Sequence, residues 1–337
     1  MYLKKVFLIA LTSATLAGAS LAQEPPPVKI LFGSETTPST GTPQAIGFYS
    51  KGCLSGAVAL PIDGPNWQAM RLSRNRRFGH PKMIEVIERL SRDAAQYDGW
   101  PGLLVGDLSQ PRGGPMLSGH ASHQIGLDAD VWLNPMPDRR YTLREREDIS
   151  AQSVLKNDGT LFVDPEKFTP AHERLLMRAA SYTEVQRIFV HPGIKKALCD
   201  DWTGDRTNLA KLRPYYGHHY HFHIRLFCES GSPDCKPQNA VDMSDDGCGA
   251  NLSWWLSDEP WKPKEPAKKP EKPETAPVKP ARPSYMTLSD LPKACEAVLE
   301  APAPSPLPET ALTPKIPLPP LAPWPEVGPV PTPRSAG

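Results

Sequence analysis

The sequence predicts an α+β fold: one domain with a central antiparallel sheet flanked by helices, followed by a proline-rich C-terminal tail. Two observations carry this expectation. Short runs with strand-like alternation stand between longer stretches of helical period, without the regular strand–helix repeat of a parallel array. Composition then changes sharply, since 22 of the 41 prolines lie from Pro260 onward. The domain is expected over 27–255 and the tail over 256–337, and a chain of this length can bury a full core without help from a metal.

The chain opens on Met1-Tyr2-Leu3-Lys4-Lys5, continues with an apolar run from Val6 to Ala17, and closes on Ser20-Leu21-Ala22. Positive start, apolar centre and small-residue cut site predict a secretory signal peptide over 1–22. The apolar run is shorter than the roughly 20 residues that span a bilayer, so no transmembrane segment is expected. Within the domain, helical spacing predicts helices over 80–96, 142–157 and 170–187. Strands are predicted over 103–107, 126–133, 187–190 and 219–227. In the tail, 263–283 alternates Pro with Lys and Glu, and 301–333 alternates Pro with Ala, Leu and Val. Proline lacks an amide hydrogen and fixes φ, which excludes helix and central strand there. Between these texts, 288–299 reads as a short helix containing Cys295.

Lys and Arg number 38 against 37 Asp and Glu, so no strong basic field exists to attract nucleic acid. Six cysteines follow the signal segment, an even count that suits disulfides in an oxidising compartment. No C-x-x-C pair is present, and six cysteines allow 15 pairings. Spacing singles out only Cys228 and Cys235, as the ends of a short loop.

The chemistry is concentrated in two segments, which hold six of the nine histidines. The first runs Ser118-Gly119-His120-Ala121-Ser122-His123-Gln124-Ile125-Gly126-Leu127-Asp128-Ala129-Asp130. The second runs Tyr216-Gly217-His218-His219-Tyr220-His221-Phe222-His223-Ile224-Arg225. Strand alternation puts His219, His221, His223 and Arg225 on one face and Tyr220, Phe222, Ile224 and Leu226 on the other. Asp128 and Asp130 share a face in the same way, and Gly126 lets the chain turn before them. A loop histidine, a strand aspartate and a strand histidine are placed to converge on one ion. Imidazole with carboxylate suits zinc, and three protein ligands leave a fourth position for water. A lone strand histidine is more often a core or surface residue; the clustering is what points to a metal.

His123-x6-Asp130 followed by His221-x-His223 resembles the peptidase group that includes lysostaphin, D-Ala-D-Ala peptidases and the hedgehog domain. The longer text from Gly119 to Asp130, with Arg76-Arg77-Phe78-Gly79-His80-Pro81, Ser50-Lys51-Gly52-Cys53, Arg187-Ile188-Phe189-Val190, Leu198-Cys199 and Asp246-Gly247-Cys248-Gly249-Ala250, is similar to the penicillin-insensitive murein endopeptidase family. The likeness covers about residues 45–255.

That resemblance implies a single zinc-peptidase domain that cuts peptidoglycan cross-link peptides, the D-alanyl–meso-diaminopimelyl bridges, in the periplasm. It implies His123, Asp130 and His223 as zinc ligands, with His120 as an additional one in some states. His221 would assist at the water or stabilise the charged transition state, and His218 would be a second catalytic-site histidine. Arg71, Arg76 and Arg225 are candidates to grip a substrate carboxylate bidentately, with structural ion pairs as their alternative role. A second metal site of Asp-x-x-His type is not expected, because Asp158-Gly159-Thr160-Leu161 offers Leu161 in place of the histidine. One zinc per chain is therefore expected. The family's disulfide framework would join Cys53 to Cys295, Cys199 to Cys248 and Cys228 to Cys235. No serine sits in a G-x-S-x-G elbow, so β-lactams should find nothing to acylate. The alternatives are a zinc D,D-carboxypeptidase and a non-catalytic zinc-containing wall-binding module. The extra histidines beside the ligands argue against the latter.

Overall fold

The computed structural model describes residues 24–263 and 283–305. The signal segment and most of both proline-rich texts lie outside the described residues. Strands in chain order are β1 (Gln44–Phe48), β2 (Lys51–Ser55), β3 (Val58–Ala59), β4 (Asp63–Gly64), β5 (Trp67–Ala69), β6 (Phe78–Gly79), β7 (Leu103–Val105), β8 (Asp128–Trp132), β9 (Val185–Val190), β10 (Leu212–Pro214) and β11 (His221–Leu226). Helices are α1 (Val28–Gly33), α2 (Pro81–Tyr97), α3 (Leu143–Asp148), α4 (Pro170–Ser181), α5 (Pro192–Asp201), α6 (Ala250–Trp255) and α7 (Ala294–Glu300).

The main sheet has the order β10-β9-β11-β8-β7-β5-β4. Its middle, β9-β11-β8-β7, is antiparallel as expected. Its flanks are mixed: β10 runs parallel to β9 and β5 parallel to β7. Parallel neighbours need a crossover, and α5 and α2 supply one each. Alternation along the central strands sorts the side chains. Ala129, Val131, Phe222, Ile224, Leu226, Ile188 and Val190 enter the main core, against α2 and α4 residues such as Ile87, Leu90, Leu175 and Leu176. The polar partners of that alternation, Asp128, Asp130, His221, His223 and Arg225, therefore share the opposite face.

The helix expected over 80–96 forms as α2, with Pro81 at its first turn and the His80 ring accepting from the Lys82 amide at 3.3 Å. Two other helices are shorter than expected. Over 142–157, Thr142 and Glu145 form a capping box, but α3 stops at Asp148. Beyond it the amide of Gln152 donates to Asn134 Oδ1 and that of Val154 to the His219 carbonyl, so tertiary acceptors replace the helical ones. Over 170–187, α4 stops at Ser181, and Val185 joins β9 in the core. The helix expected over 288–299 is a 3₁₀ turn, Leu288–Asp290, then α7. Pro292 lies between them and donates no amide hydrogen to a continuous helix.

Disulfides join Cys53–Cys295, Cys199–Cys248 and Cys228–Cys235. The first fastens α7 to β2 across 242 residues of sequence, within a small core of Val28, Phe32, Ile46, Leu291 and Val298. The buried Arg112 guanidinium donates to the carbonyls of Val298, Leu299 and Ala301 at 2.7–2.9 Å. Part of the region read as tail is thus packed against the domain.

Candidate metal centre

Register places the site. On β8 and β11, Asp130 stands opposite His223 and Asp128 opposite Arg225, with side chains on the polar face. The loop before β8 brings His120 and His123 over that face. Among its left-handed positions are His123 (φ 67°) and Gly126 (φ 71°), which bend the chain into β8. A side chain at Gly126 would also meet Leu54 Cδ2 at 2.4 Å, so only glycine fits. His123 holds its uncommon backbone because its amide donates to Asp128 Oδ2 at 3.0 Å and its Nδ1 donates to the Leu108 carbonyl at 2.6 Å.

Those bonds decide which nitrogen lone pairs are free. With Nδ1–H on Leu108, His123 presents Nε2 as an unprotonated donor, fully buried and without a hydrogen-bond partner. Asp130 Oδ1 is buried and unpartnered as well, 3.4 Å from His123 Nε2 but without the alignment of a hydrogen bond. His223 donates Nε2–H to Asp128 Oδ1 at 2.9 Å, which leaves its Nδ1 lone pair 3.6 Å from Asp130 Oδ1. His120 Nε2 lies 3.5 Å from Asp130 Oδ2 and 3.1 Å from Asp107 Oδ2. Among the described residues, His120, His123 and Asp130 offer three donor atoms within 4.8 Å of one another; His223 lies outside that set, its ring 4.5 Å from that of His123 and its Nδ1 facing the same Asp130 oxygen. Two orphaned buried donors facing each other is the arrangement a cation completes.

Electrostatics support the same description. Burial would raise the Asp130 carboxyl, but His221, His123 and His120 outweigh it and hold it well below the usual carboxylate range. Asp128 is likewise ionised: burial is overcome by Arg225, His223 and His123. At Asp107 burial is outweighed by His120, Arg74 and Arg76, which hold it at about 2. On His123 burial lowers the imidazole but Asp130, Asp128 and Asp107 together outweigh it and raise it, so a proton competes for the place a metal ion would take. Burial pushes His223 down to about 3 and His218 to about 4, and it lowers His221.

His221 Nε2 lies 3.6 Å from Asp130 Oδ1, and its buried Nδ1 has no partner. The His218 ring sits 4.9 Å from that of His221, its Nδ1 on the carbonyls of Tyr215 and Tyr216. A cavity of about 300 Å³ opens on His120, Asp130 and His221, walled by Arg71, Trp132 and Tyr220.

Of the three arginines offered for substrate, two are engaged elsewhere. Arg76 is buried on Asp107 at 3.0 Å. Arg225 is buried on Asp128 at 2.7 Å and on Gln238 Oε1. Arg71 does line the cavity, its left-handed backbone (φ 55°) lifting the guanidinium over the Trp132 ring at 5.8 Å. Asp158 is exposed and accepts from the amide and hydroxyl of Thr160 in a turn. Sequence reasoning missed Asp107 as the anchor of His120, and it assigned Asp128 no part. The signal for Asp128 was available: alternation puts it on the face of Asp130.

A family model described as penicillin-insensitive murein endopeptidase matches residues 45–300. A curated protein of that name from Yersinia enterocolitica is 40% identical over 265 residues, covering 79% of this chain and 88% of its own. Relatives with the same name from Klebsiella pneumoniae and Pectobacterium atrosepticum are 38% identical, covering 87% and 88% of this chain and 97% and 95% of theirs.

Proposed function

This chain belongs to the penicillin-insensitive murein endopeptidase family, and on that premise we propose that its centre holds one zinc ion and hydrolyses D-alanyl–meso-diaminopimelyl cross-links of peptidoglycan. The observation that carries the reading is the pair of buried, unpartnered donors, His123 Nε2 and Asp130 Oδ1, 3.4 Å apart. These two and His223 Nδ1 are the proposed ligands, with His120 as an additional one. Imidazole and carboxylate are the donors zinc takes, and zinc when bound acidifies water and polarises a scissile carbonyl.

The remaining residues do the positioning and the proton work. Leu108 and Asp128 fix the rings of His123 and His223, so that lone pairs face the site. Asp107 keeps His120 at the cavity wall. His221, on the cavity wall beside Asp130, accepts the proton of the attacking water or stabilises the oxyanion, work worth roughly 10²–10⁴-fold. His218 stands behind His221 as the next imidazole. Of the three arginine candidates Arg71 lines the cleft, and this supports it as the one that meets substrate there. Attack by water needs no covalent intermediate, and the described cysteines are all in disulfides. With the expected signal peptide over 1–22, the periplasm is the proposed place of action. Incubating the purified protein with cross-linked muropeptide dimers, with and without a zinc chelator and penicillin, tests the reading by product mass. Monomers formed in the presence of penicillin and absent with chelator are expected; dimers left intact while chain ends are trimmed would establish the carboxypeptidase instead.

A further inference from the structure

A second cavity, of about 440 Å³, lies on the polar side of β9 and β10, with Arg187, Arg213, Gln238 and Asn239 in its lining. Register ties it to the metal centre. Phe189 pairs with His223 on one side and with Arg213 on the other, and Arg187 pairs with Arg225. Arg213 is thus in the same cross-strand row as His223, two strand spacings or roughly 10 Å away. Phe189 bridges the row, its ring 5.1 Å from that of His223.

The two guanidiniums are short of anionic partners. The nearby Arg206 and Arg225 have carboxylates of their own, Asp246 and Asp128. Among the described residues, neither Arg187 nor Arg213 forms an ion pair. The Arg187 Nε–H is buried with no acceptor, while its terminal nitrogen donates to the Asn239 carbonyl. The acids on the rim, Asp242 and Asp245, are exposed and accept from Ser244 and Gly247 in turns. Burial, then the neighbouring Arg225 and Arg213, lowers the Arg187 guanidinium, which is what crowded cations without a counter-charge do.

We infer that this cavity is a carboxylate-binding subsite for the peptide substrate, with Arg187 and Arg213 as the paired guanidiniums that grip it. The inference rests on the endopeptidase reading, which supplies the ligand class. A diaminopimelyl cross-link keeps one free carboxylate beside the scissile nitrogen, too near the bond to reach this cavity, and others further along its stem peptides, which are the ones the cavity would take. Planar guanidinium forks match carboxylate in a way an amide cannot. A substrate lying over Phe189 would place its scissile bond at the His223 row and a carboxylate in the second cavity.

The test compares the wild-type protein with Arg213→Gln, Arg213→Lys and Arg187→Gln. Each is assayed on a cross-linked muropeptide dimer and on the same dimer with its free carboxylates amidated. With the native dimer, Arg213→Gln is expected to raise KM roughly tenfold or more and move kcat less than twofold, since a charge-assisted bond to carboxylate is lost. Arg213→Lys should recover part of that loss. Amidation should raise the wild-type KM similarly and have little further effect on Arg213→Gln. If the wild type cleaves both dimers with one KM, or the glutamine variants are as sensitive to amidation as the wild type, the subsite is wrong and the endopeptidase reading stands. If the wild type cleaves neither dimer, the reading itself falls and the subsite with it. The amidated substrate keeps the test valid should either variant fold poorly.

Discussion

His223 Nε2 donates to Asp128 Oδ1 at 2.9 Å, and the same carboxylate holds Arg225 and the His123 amide. Asp128 therefore sets the His223 tautomer, turns its Nδ1 towards Asp130 and shapes the loop of His123. Asp128→Asn keeps the shape but offers an amide where four N–H donors from three residues need acceptors. Metal affinity should drop about 10–100-fold, the usual cost of losing such an orienting carboxylate. Competition with a chromophoric chelator measures this. Unchanged affinity would mean that Asp128 serves only Arg225.

Substitution should separate holding the metal from using it. His123→Ala, Asp130→Ala and His223→Ala each remove a proposed ligand, so bound metal and dimer cleavage should vanish together. His221→Ala leaves all three ligand atoms in place. Most of the metal should stay while turnover falls roughly 10²–10⁴-fold, the range for a lost general base. Metal content per chain by mass spectrometry, read beside a cleavage assay, distinguishes the two classes. A ligand variant with full activity would remove that residue from the site.

Legibility in the sequence followed the range of the interactions. Strand alternation is local, so the polar face carrying Asp128, Asp130, His221 and His223 was readable from period alone. The turn at Gly126 was also readable, because the alternation of 127–131 begins directly after it. What escaped depends on residues far away in the chain. Nothing near Arg76 shows that Asp107 neutralises it, and nothing near Arg225 shows that Asp128 does. The stop of α3 at Asp148 depends on acceptors at Asn134 and His219 that the helix does not contain. The mixed flanks of the sheet depend on crossovers whose partner strands local period cannot name.

Acid should weaken the fold through His172 on α4. Burial pushes this imidazole down to about 4 even though its Nε2–H donates to the Leu133 carbonyl at 2.9 Å. The unfolded chain titrates it near 6.5, so between pH 6.5 and 4 the unfolded state binds the extra proton. Stability therefore rises with pH through that window and falls as pH drops, by at most about 3 kcal/mol for one such group. Denaturant midpoints at pH 7, 5.5 and 4.5 should show the decline, with a shallower slope in His172→Gln. An identical slope in that variant would assign the acid effect to other groups.

The last prediction concerns the packed part of the tail. Cys295 of α7 is bonded to Cys53, and Leu291 and Val298 complete a small core with Val28, Phe32 and Ile46. Arg112 gives its guanidinium to carbonyls of Val298, Leu299 and Ala301, and its own carbonyl accepts from the Leu54 amide. Arg112 lies in the loop that goes on to carry His120 and His123, so the tail braces the metal loop. A chain ending after residue 305 keeps all of these contacts and should match the full chain in melting temperature and dimer cleavage. A chain ending at residue 283 loses the disulfide, exposes Phe32 and takes three carbonyl acceptors from the buried Arg112 guanidinium, which keeps only Glu35 and the Thr37 carbonyl. Losing a native disulfide alone costs about 2–5 kcal/mol. At this domain size that amounts to a fall in Tm of roughly 5–15 °C. Metal affinity should drop in the same variant, and Cys53 should react with thiol reagents to which the full chain is inert. Calorimetry, metal titration and thiol labelling on the two truncations check the three consequences. If the shorter chain melts with the longer one, the tail contributes no brace; if it melts lower yet binds metal equally well, the brace does not extend to the loop of His120 and His123.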